Sequence, residues 1–264
     1  KLMGILNVTP DSFSDGGQFI GQAAALRQVQ QMLANGADII DIGGESTRPG
    51  AKDVNLDDEL ARVIPVIHSI RQLYPDLPIS VDTSKARVMA EAIAVGADII
   101  NDVRALQEPG ALEVAVGAQV PVCLMHMQGQ PRSMQHQPSY QHVVLEVLAF
   151  LQQRAEICVA AGIARQQIIF DPGFGFGKSL AHNYELLSAM SQFVETGYPV
   201  LAGMSRKSMI GQLLNRDVAE RLAGSIACAT IAVMKGAQII RVHDIKETAD
   251  AIKIAQATKF GVNA

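Results

Sequence analysis

Cysteine is scarce in this chain. The three that occur, Cys123, Cys158 and Cys228, are scattered in apolar runs. No two have the spacing of a metal clamp or a redox pair, and three cannot all pair with one another. They read as buried thiols of a reducing, cytoplasmic setting. No signal peptide is visible and no apolar run reaches bilayer-spanning length, so no membrane partner is expected. Charge of one sign is missing too: 22 Lys and Arg stand against 26 Asp and Glu, a net −4. That balance argues against a long nucleic-acid interface. An anionic small molecule would need a local cationic cluster instead. The first residue, Lys1, leads directly into a strand, which raises the expectation of a further segment before it.

What the chain does have is repetition. GADII occurs at 36–40 and again at 96–100, and GAQII at 236–240. Each copy follows an amphipathic run. A glycine ends the helix by taking the left-handed turn, a short β-branched run makes a buried strand, and a polar residue stands near the strand's far end: Asp41, Asn101 or Arg241. Such repetition suggests one strand–helix module used many times.

Taken in order, strands are expected over 2–8, 39–42, 79–81, 99–100, 122–125, 168–170, 200–203 and 238–242. Helices are expected over 23–33, 57–74 with a kink or shortened first turn at Pro65, 84–95 capped by Thr83 or Ser84, 111–116, about 142–161, 179–194, two stretches within 209–234, and 246–258. Long loops follow the first, second and fifth strands; the fifth runs from Met127 to Tyr140. Eight alternations in 264 residues, 48% of them hydrophobic, without a linker, predict a single-domain (β/α)8 (TIM) barrel spanning 1–264.

Active sites of such barrels lie at the C-terminal ends of the strands. Those ends carry Asn7, Asp41, Asp82, Asn101, His126, Asp171, Arg206 with Lys207, and Arg241 with His243. A polar ring on one face reads as a site, although single members can be caps or salt-bridge partners. Asp82, Asn101 and Asp171 suit a flat heterocycle with an amino-amide edge, because a carboxylate accepts two parallel N–H bonds. Lys207, Arg241 and His243 suit a phosphate or pyrophosphate, with a magnesium ion held by Asn7 and the anion. Arg241 has an alternative as the partner of a barrel carboxylate, and His243 as a helix cap. Ser208 stands where a helix begins and could offer backbone N–H groups to a carboxylate. The stretch GFGFGKS at 173–179 has three residues between Gly173 and Gly177 where a nucleotide loop needs four, and reads as flexibility beside Asp171. His136, His142 and His182 lack ligand spacing and read as surface residues.

Several stretches together carry a resemblance: MGILNVTPDSFSDGG at 3–17, GGESTRPG at 43–50, SVDTSK at 80–85, IND at 100–102, LMHM at 124–127, DPGFGFG at 171–177, GMSRKS at 203–208 and IRVH at 240–243. The chain closely resembles the dihydropteroate synthases, the folate-pathway enzymes inhibited by sulfonamides. The resemblance implies that (7,8-dihydropterin-6-yl)methyl diphosphate condenses with 4-aminobenzoate to give 7,8-dihydropteroate and pyrophosphate. It further implies a pterin pocket of Asp82, Asn101, Asp171 and Lys207, pyrophosphate binding by Thr47, Arg241 and His243, and Asn7 as the Mg2+ ligand. Phe13, Asp15, Arg48 and Pro49 would lie on covers that complete the aminobenzoate pocket, with Ser208 and Lys207 beside that substrate. Similar enzymes are homodimers. The nearest rival is a pterin-binding methyltransferase, which would need no pyrophosphate clamp; Arg241, His243 and the loops with Phe13 and Arg48 argue against it. A non-catalytic pterin-binding barrel could lose Asn7, Lys207 or the loop residues, yet all are present.

Overall fold

The computed structural model describes residues 1–8, 17–45, 53–129 and 138–262. Eight strands are found: β1 Leu2–Asn7, β2 Ile39–Gly43, β3 Ile79–Asp82, β4 Ile99–Asp102, β5 Val122–Met125, β6 Ile168–Asp171, β7 Leu201–Ala202 and β8 Ile239–Val242. All pair in parallel in the order β6-β5-β4-β3-β2-β1-β8-β7. A parallel bridge between Phe170 and Val200 joins the two ends. The sheet is therefore a closed (β/α)8 barrel, with no edge left to pair with another chain.

The helices between the strands are α1 Gly17–Ala34, α2 Leu56–Leu73, α3 Ala86–Ala94, α4 Ala111–Ala118, α5 Val143–Ala161, α6 Leu180–Ser188, α7 Met190–Val194, α8 Ser208–Leu214, α9 Leu222–Met234 and α10 Ile245–Phe260. Gly36, Gly96 and Gly236 sit at φ of 98°, 112° and 100°, so each repeat ends its helix as its sequence indicates.

The short strands read as continuous apolar runs because both faces are buried. One face supplies Leu6, Ile40, Ile42, Val81, Ile100, Leu124 and Phe170 to the layer under the helices. The alternate face supplies Met3, Ile39, Ile99, Cys123, Ile169, Leu201 and Ile239 to a separate cluster inside the barrel. Two residues further along, on the same inward face, come Asp41, Asn101, Asp171 and Arg241. The barrel thus has an apolar floor and a polar mouth, produced by one alternation. β3 differs: Ser80 is fully buried, and its Oγ has no hydrogen-bond partner among the described residues.

Several local expectations are corrected. α1 begins at Gly17, not Ala23. α2 spans Leu56–Leu73 with Pro65 inside it, so the first turn is not shortened, and it is capped by Asn55, whose side chain accepts from the Asp58 N–H. Neither Thr83 nor Ser84 caps α3. Lys85 holds that position without a side-chain bond, because the Ser84 hydroxyl is taken by Asp102 and Thr83 Oγ1 accepts from the Lys85 N–H. The single helix expected over 179–194 is two, broken after Ser188.

Candidate active site

Arg241 is the hub of the mouth. It projects from β8, and its Nε donates to Asp41 on β2 at 2.6 Å while a terminal nitrogen donates to Asp82 on β3 at 2.6 Å. Asn101 on β4 donates through its amide to both oxygens of Asp41, at 3.3 and 3.2 Å. The fully buried Asp41 therefore joins Arg241 to Asn101, and Arg241 in turn joins that pair to Asp82. Burial disfavours the charge of Arg241, but Asp41 and Asp82 outweigh it and raise its pKa. Burial pushes Asp82 up to about 7; Arg241 pulls it back, and Asp41 adds to the rise. The cation is thus interleaved with carboxylates, which is the salt-bridge alternative for Arg241 realised in the structure, and the acceptors and cations do not occupy separate halves.

Asp171 ends β6. Its Oδ1 accepts from the Gly173 N–H at 2.8 Å. Burial raises its pKa, opposed by Lys207, by that N–H and by Arg241. The charges of Asp171 and Arg241 therefore act on each other. Lys207 leans over the barrel mouth. Its Nζ donates to the Phe174 carbonyl and lies 4.6 Å from the centre of the Phe176 ring, a favourable seat for a cation. Burial lowers Lys207 to about 8, against the pull of Asp171. Val103, Met125 and Phe176 form a small apolar cluster beside it.

His243, one turn of the strand beyond Arg241, is half-buried. Its backbone N–H and Nδ1 both face Ser205 Oγ, at 3.2 and 3.0 Å. Asn7 ends β1 beside Gly43. Ser208 is exposed as the first residue of α8, with Lys207 at its N-cap. Phe13, Asp15, Thr47, Arg48 and Pro49 lie outside the described residues, as does His136.

Two members of the ring of strand ends do not join it. Arg206 is exposed and paired with Asp244. His126 is buried against Lys178. His182 is half-buried instead of surface-lying: its Nδ1 accepts from the Ser179 N–H at the start of α6, and its ring meets Tyr140 edge-on. The glycines at 173–177 do not confer flexibility. A Cβ on Gly173 would sit 1.9 Å from the His126 carbonyl oxygen, and one on Gly177 2.3 Å from that of Gln128. They allow backbone to press on backbone.

Sequence reasoning left out several supports. Asp102 faces outward, fully buried, and receives the Ser84 hydroxyl and the N–H groups of Arg104 and Leu106. It braces the turn after β4 beneath Asn101. Lys85 bridges Glu45 and the fully buried Glu59, so the start of the loop after β2 is tied to α2. The alternation Ile39/Asp41, Ile99/Asn101, Ile169/Asp171 and Ile239/Arg241 was the signal that would have ranked Asp41 with the site.

A closed barrel whose mouth holds buried acceptors and cations around one opening is the architecture of a small-molecule enzyme. The family described as pterin binding enzyme matches residues 3–243, and the chain belongs to it. The dihydropteroate synthase of Haemophilus influenzae is 59% identical over 258 residues, covering 98% of this chain and 94% of that protein. A Yersinia pestis dihydropteroate synthase solved as a sulfonamide drug complex superposes with a TM-score of 0.93 at 57% identity, over 98% of this chain and 94% of that one. A Xanthomonas albilineans dihydropteroate synthase in complex with 7,8-dihydropteroate gives 0.89 at 46% identity, over 98% and 94%. Within its family the chain stands with the dihydropteroate synthases.

Proposed function

We propose that the barrel joins 4-aminobenzoate to the methylene carbon of (7,8-dihydropterin-6-yl)methyl diphosphate, forming 7,8-dihydropteroate and releasing pyrophosphate in folate biosynthesis. The observation that carries this reading is the cluster of buried and half-buried groups at the strand ends: Arg241 bonded to Asp41 and Asp82, Asn101 bonded to Asp41, and Lys207 seated on the Phe174 carbonyl and Phe176 ring of the loop that follows Asp171. Asp171 and Asn101 hold the ring so that its methylene faces the incoming amine. Asp82 adds an acceptor and Lys207 a donor at the ring's edge. Arg241 and His243, with Thr47, neutralise charge as the C–O bond to the diphosphate breaks. The aniline nitrogen is already nucleophilic, so no strong base is required. Phe13, Asp15, Arg48 and Pro49 complete the aminobenzoate pocket and exclude water, and Ser208 stands beside that substrate.

Magnesium fits as a substrate-borne ion. Among the described residues no group of three His, Cys, Asp or Glu is arranged to hold a metal. Asn7 offers one neutral oxygen, which suits an ion otherwise held by diphosphate oxygens and water. When bound, the ion supplies charge neutralisation at the leaving group.

Exposed Leu213 and Leu214 of α8, Ile231 and Met234 of α9, and Ile254 and Phe260 of α10 support a homodimer built on that side. Three free buried cysteines support a cytoplasmic setting, and no described helix is long and apolar enough to cross a membrane.

The test is a coupled pyrophosphate assay with each substrate omitted in turn. Release is expected only when both are present. Methyl transfer to a corrinoid protein, or release indifferent to aminobenzoate, would overturn the reading. Light scattering showing a single-chain mass would remove the dimer.

A further inference from the structure

Lys178 is a second lysine near the mouth, and it cannot reach a ligand. It closes the loop after β6 and is only 2% exposed. Its Nζ lies 3.0 Å from His126 Nδ1, 3.2 Å from the His126 carbonyl, 2.9 Å from that of Gly173 and 3.0 Å from that of Phe176. Among the described residues it forms no salt bridge. An ammonium buried on neutral acceptors alone is costly, and burial pushes its pKa well below the ordinary lysine value. Burial and the neighbouring Lys178 also push His126 down to about 3, which keeps its imidazole neutral, and Nδ1 accepts from Lys178 in the tautomer protonated at Nε2.

The geometry shows what that buried charge accomplishes. Three N–H groups, shared among His126 Nδ1 and the carbonyls of residues 126, 173 and 176, draw these acceptors toward one point, so the loop curls around the ammonium. The inner side of the curl presses Gly173 and Gly177 onto the backbone of residues 126 and 128. Its outer side presents the Phe174 carbonyl and the Phe176 ring, the two groups on which Lys207 rests. The same curl aims the Gly173 N–H at Asp171. Tyr140 and Asn183 hold the loop from outside: the Tyr140 hydroxyl donates to the Gly177 carbonyl at 2.8 Å, and Asn183 Oδ1 accepts from the Gly175 N–H at 2.7 Å.

We propose that Lys178 is a positioning residue, whose ammonium never touches substrate but folds the 173–177 loop into the cradle that sets the place of Lys207 and the direction of the Asp171 carboxylate. The proposal rests on reading those two groups as the ones that face the pterin. A merely structural lysine would affect melting alone. A positioning lysine also affects the titration of Lys207, which feels Asp171, Arg241 and Asp82 and the charge of Lys178 itself, so the variant that leaves Lys178 in place, Tyr140→Phe, separates position from direct repulsion.

The experiment compares wild-type enzyme with Lys178→Met, Tyr140→Phe and Lys207→Met in three measurements: the pH profile of kcat/KM, the Kd for a free pterin, and the melting temperature. The wild type is expected to lose kcat/KM as pH rises through about 8, and Lys207→Met to lack that limb. Lys178→Met is expected to move the limb toward higher pH, as Lys207 slips off the loop toward solvent, and to weaken free-pterin binding about tenfold. Tyr140→Phe removes no charge and loosens only the outer tie, so a smaller shift in the same direction is expected. It also keeps the test decisive if Lys178→Met does not fold. A limb and a pterin Kd unchanged in the folded variants, with only the melting temperature lowered, would overturn the proposal. A limb that persists in Lys207→Met instead overturns the reading of Lys207 itself, and the proposal with it.

Discussion

Two cations at the mouth, Arg241 and Lys207, are held in opposite ways. Arg241 is bound to two carboxylates, one of them tied again to Asn101. Lys207 rests on a carbonyl and a ring face, both neutral. The Arg241 side is therefore compensated by direct ion pairs, while Lys207 makes none among the described residues and feels Asp171 only at longer range. Two carboxylates against one guanidinium also make the Arg241 side acidic. On the proposed function, a diphosphate landing there would be helped by an accompanying cation and by a proton on Asp82, which burial has raised to about 7. The difference predicts unequal responses to substitution.

The largest effect is expected from Arg241→Ala. It leaves Asp41 and Asp82 without their partner, and removing one member of a buried pair costs about 3–5 kcal/mol. Chemical denaturation reads that loss. A binding titration should show a far greater loss for the pterin diphosphate than for 4-aminobenzoate, and equal losses would count against the diphosphate role. Next comes Asp171→Asn. Replacing a buried charged acceptor is expected to cost about 1.5–3 kcal/mol in affinity for a free pterin, read by calorimetry; undiminished affinity would refute the pterin assignment.

The Lys207 side is sharpened by pH. Its folded value near 8 lies below that of an unfolded lysine. The ammonium is present below about 8 and is lost as pH rises through it, so kcat/KM should fall there, while the Arg241 side keeps its cation. Between that value and the ordinary lysine value the unfolded chain binds more protons, so this group makes stability rise with pH. A denaturation series that fell over the same interval in wild type but not in Lys207→Met would contradict the assignment. The smallest effect is expected from Ser205→Ala, which frees His243 from its hydroxyl partner. One neutral hydrogen bond is worth about 1 kcal/mol, so the KM for the diphosphate substrate should rise by a few-fold with little change for 4-aminobenzoate.

Most of the barrel was legible along the chain. Gly36, Gly96 and Gly236 mark helix ends followed by apolar strands, and the strand-end rule brought Asp82, Asn101, Asp171, Lys207 and Arg241 to one face. The misses share a cause. Thr83 and Ser84 are reasonable caps by local preference, but Asp102 and the Lys85 backbone engage their hydroxyls. The 173–177 glycines look loose in one dimension and are compressed in three. Lys178 reads as the end of a flexible glycine loop until its four acceptors are seen. Arg206 and Lys207 are neighbours in sequence, yet one pairs with Asp244 outside while the other turns in.

By itself the sequence determined the alternation, the number of modules and the residue types at each strand end, because helix period, strand period and glycine turns are local properties of the chain. Only the tertiary structure decided which charges meet. Arg241 is 200 positions from Asp41, and burial, pairing and proton affinity depend on distances that exist only once the eighth strand has closed against the first.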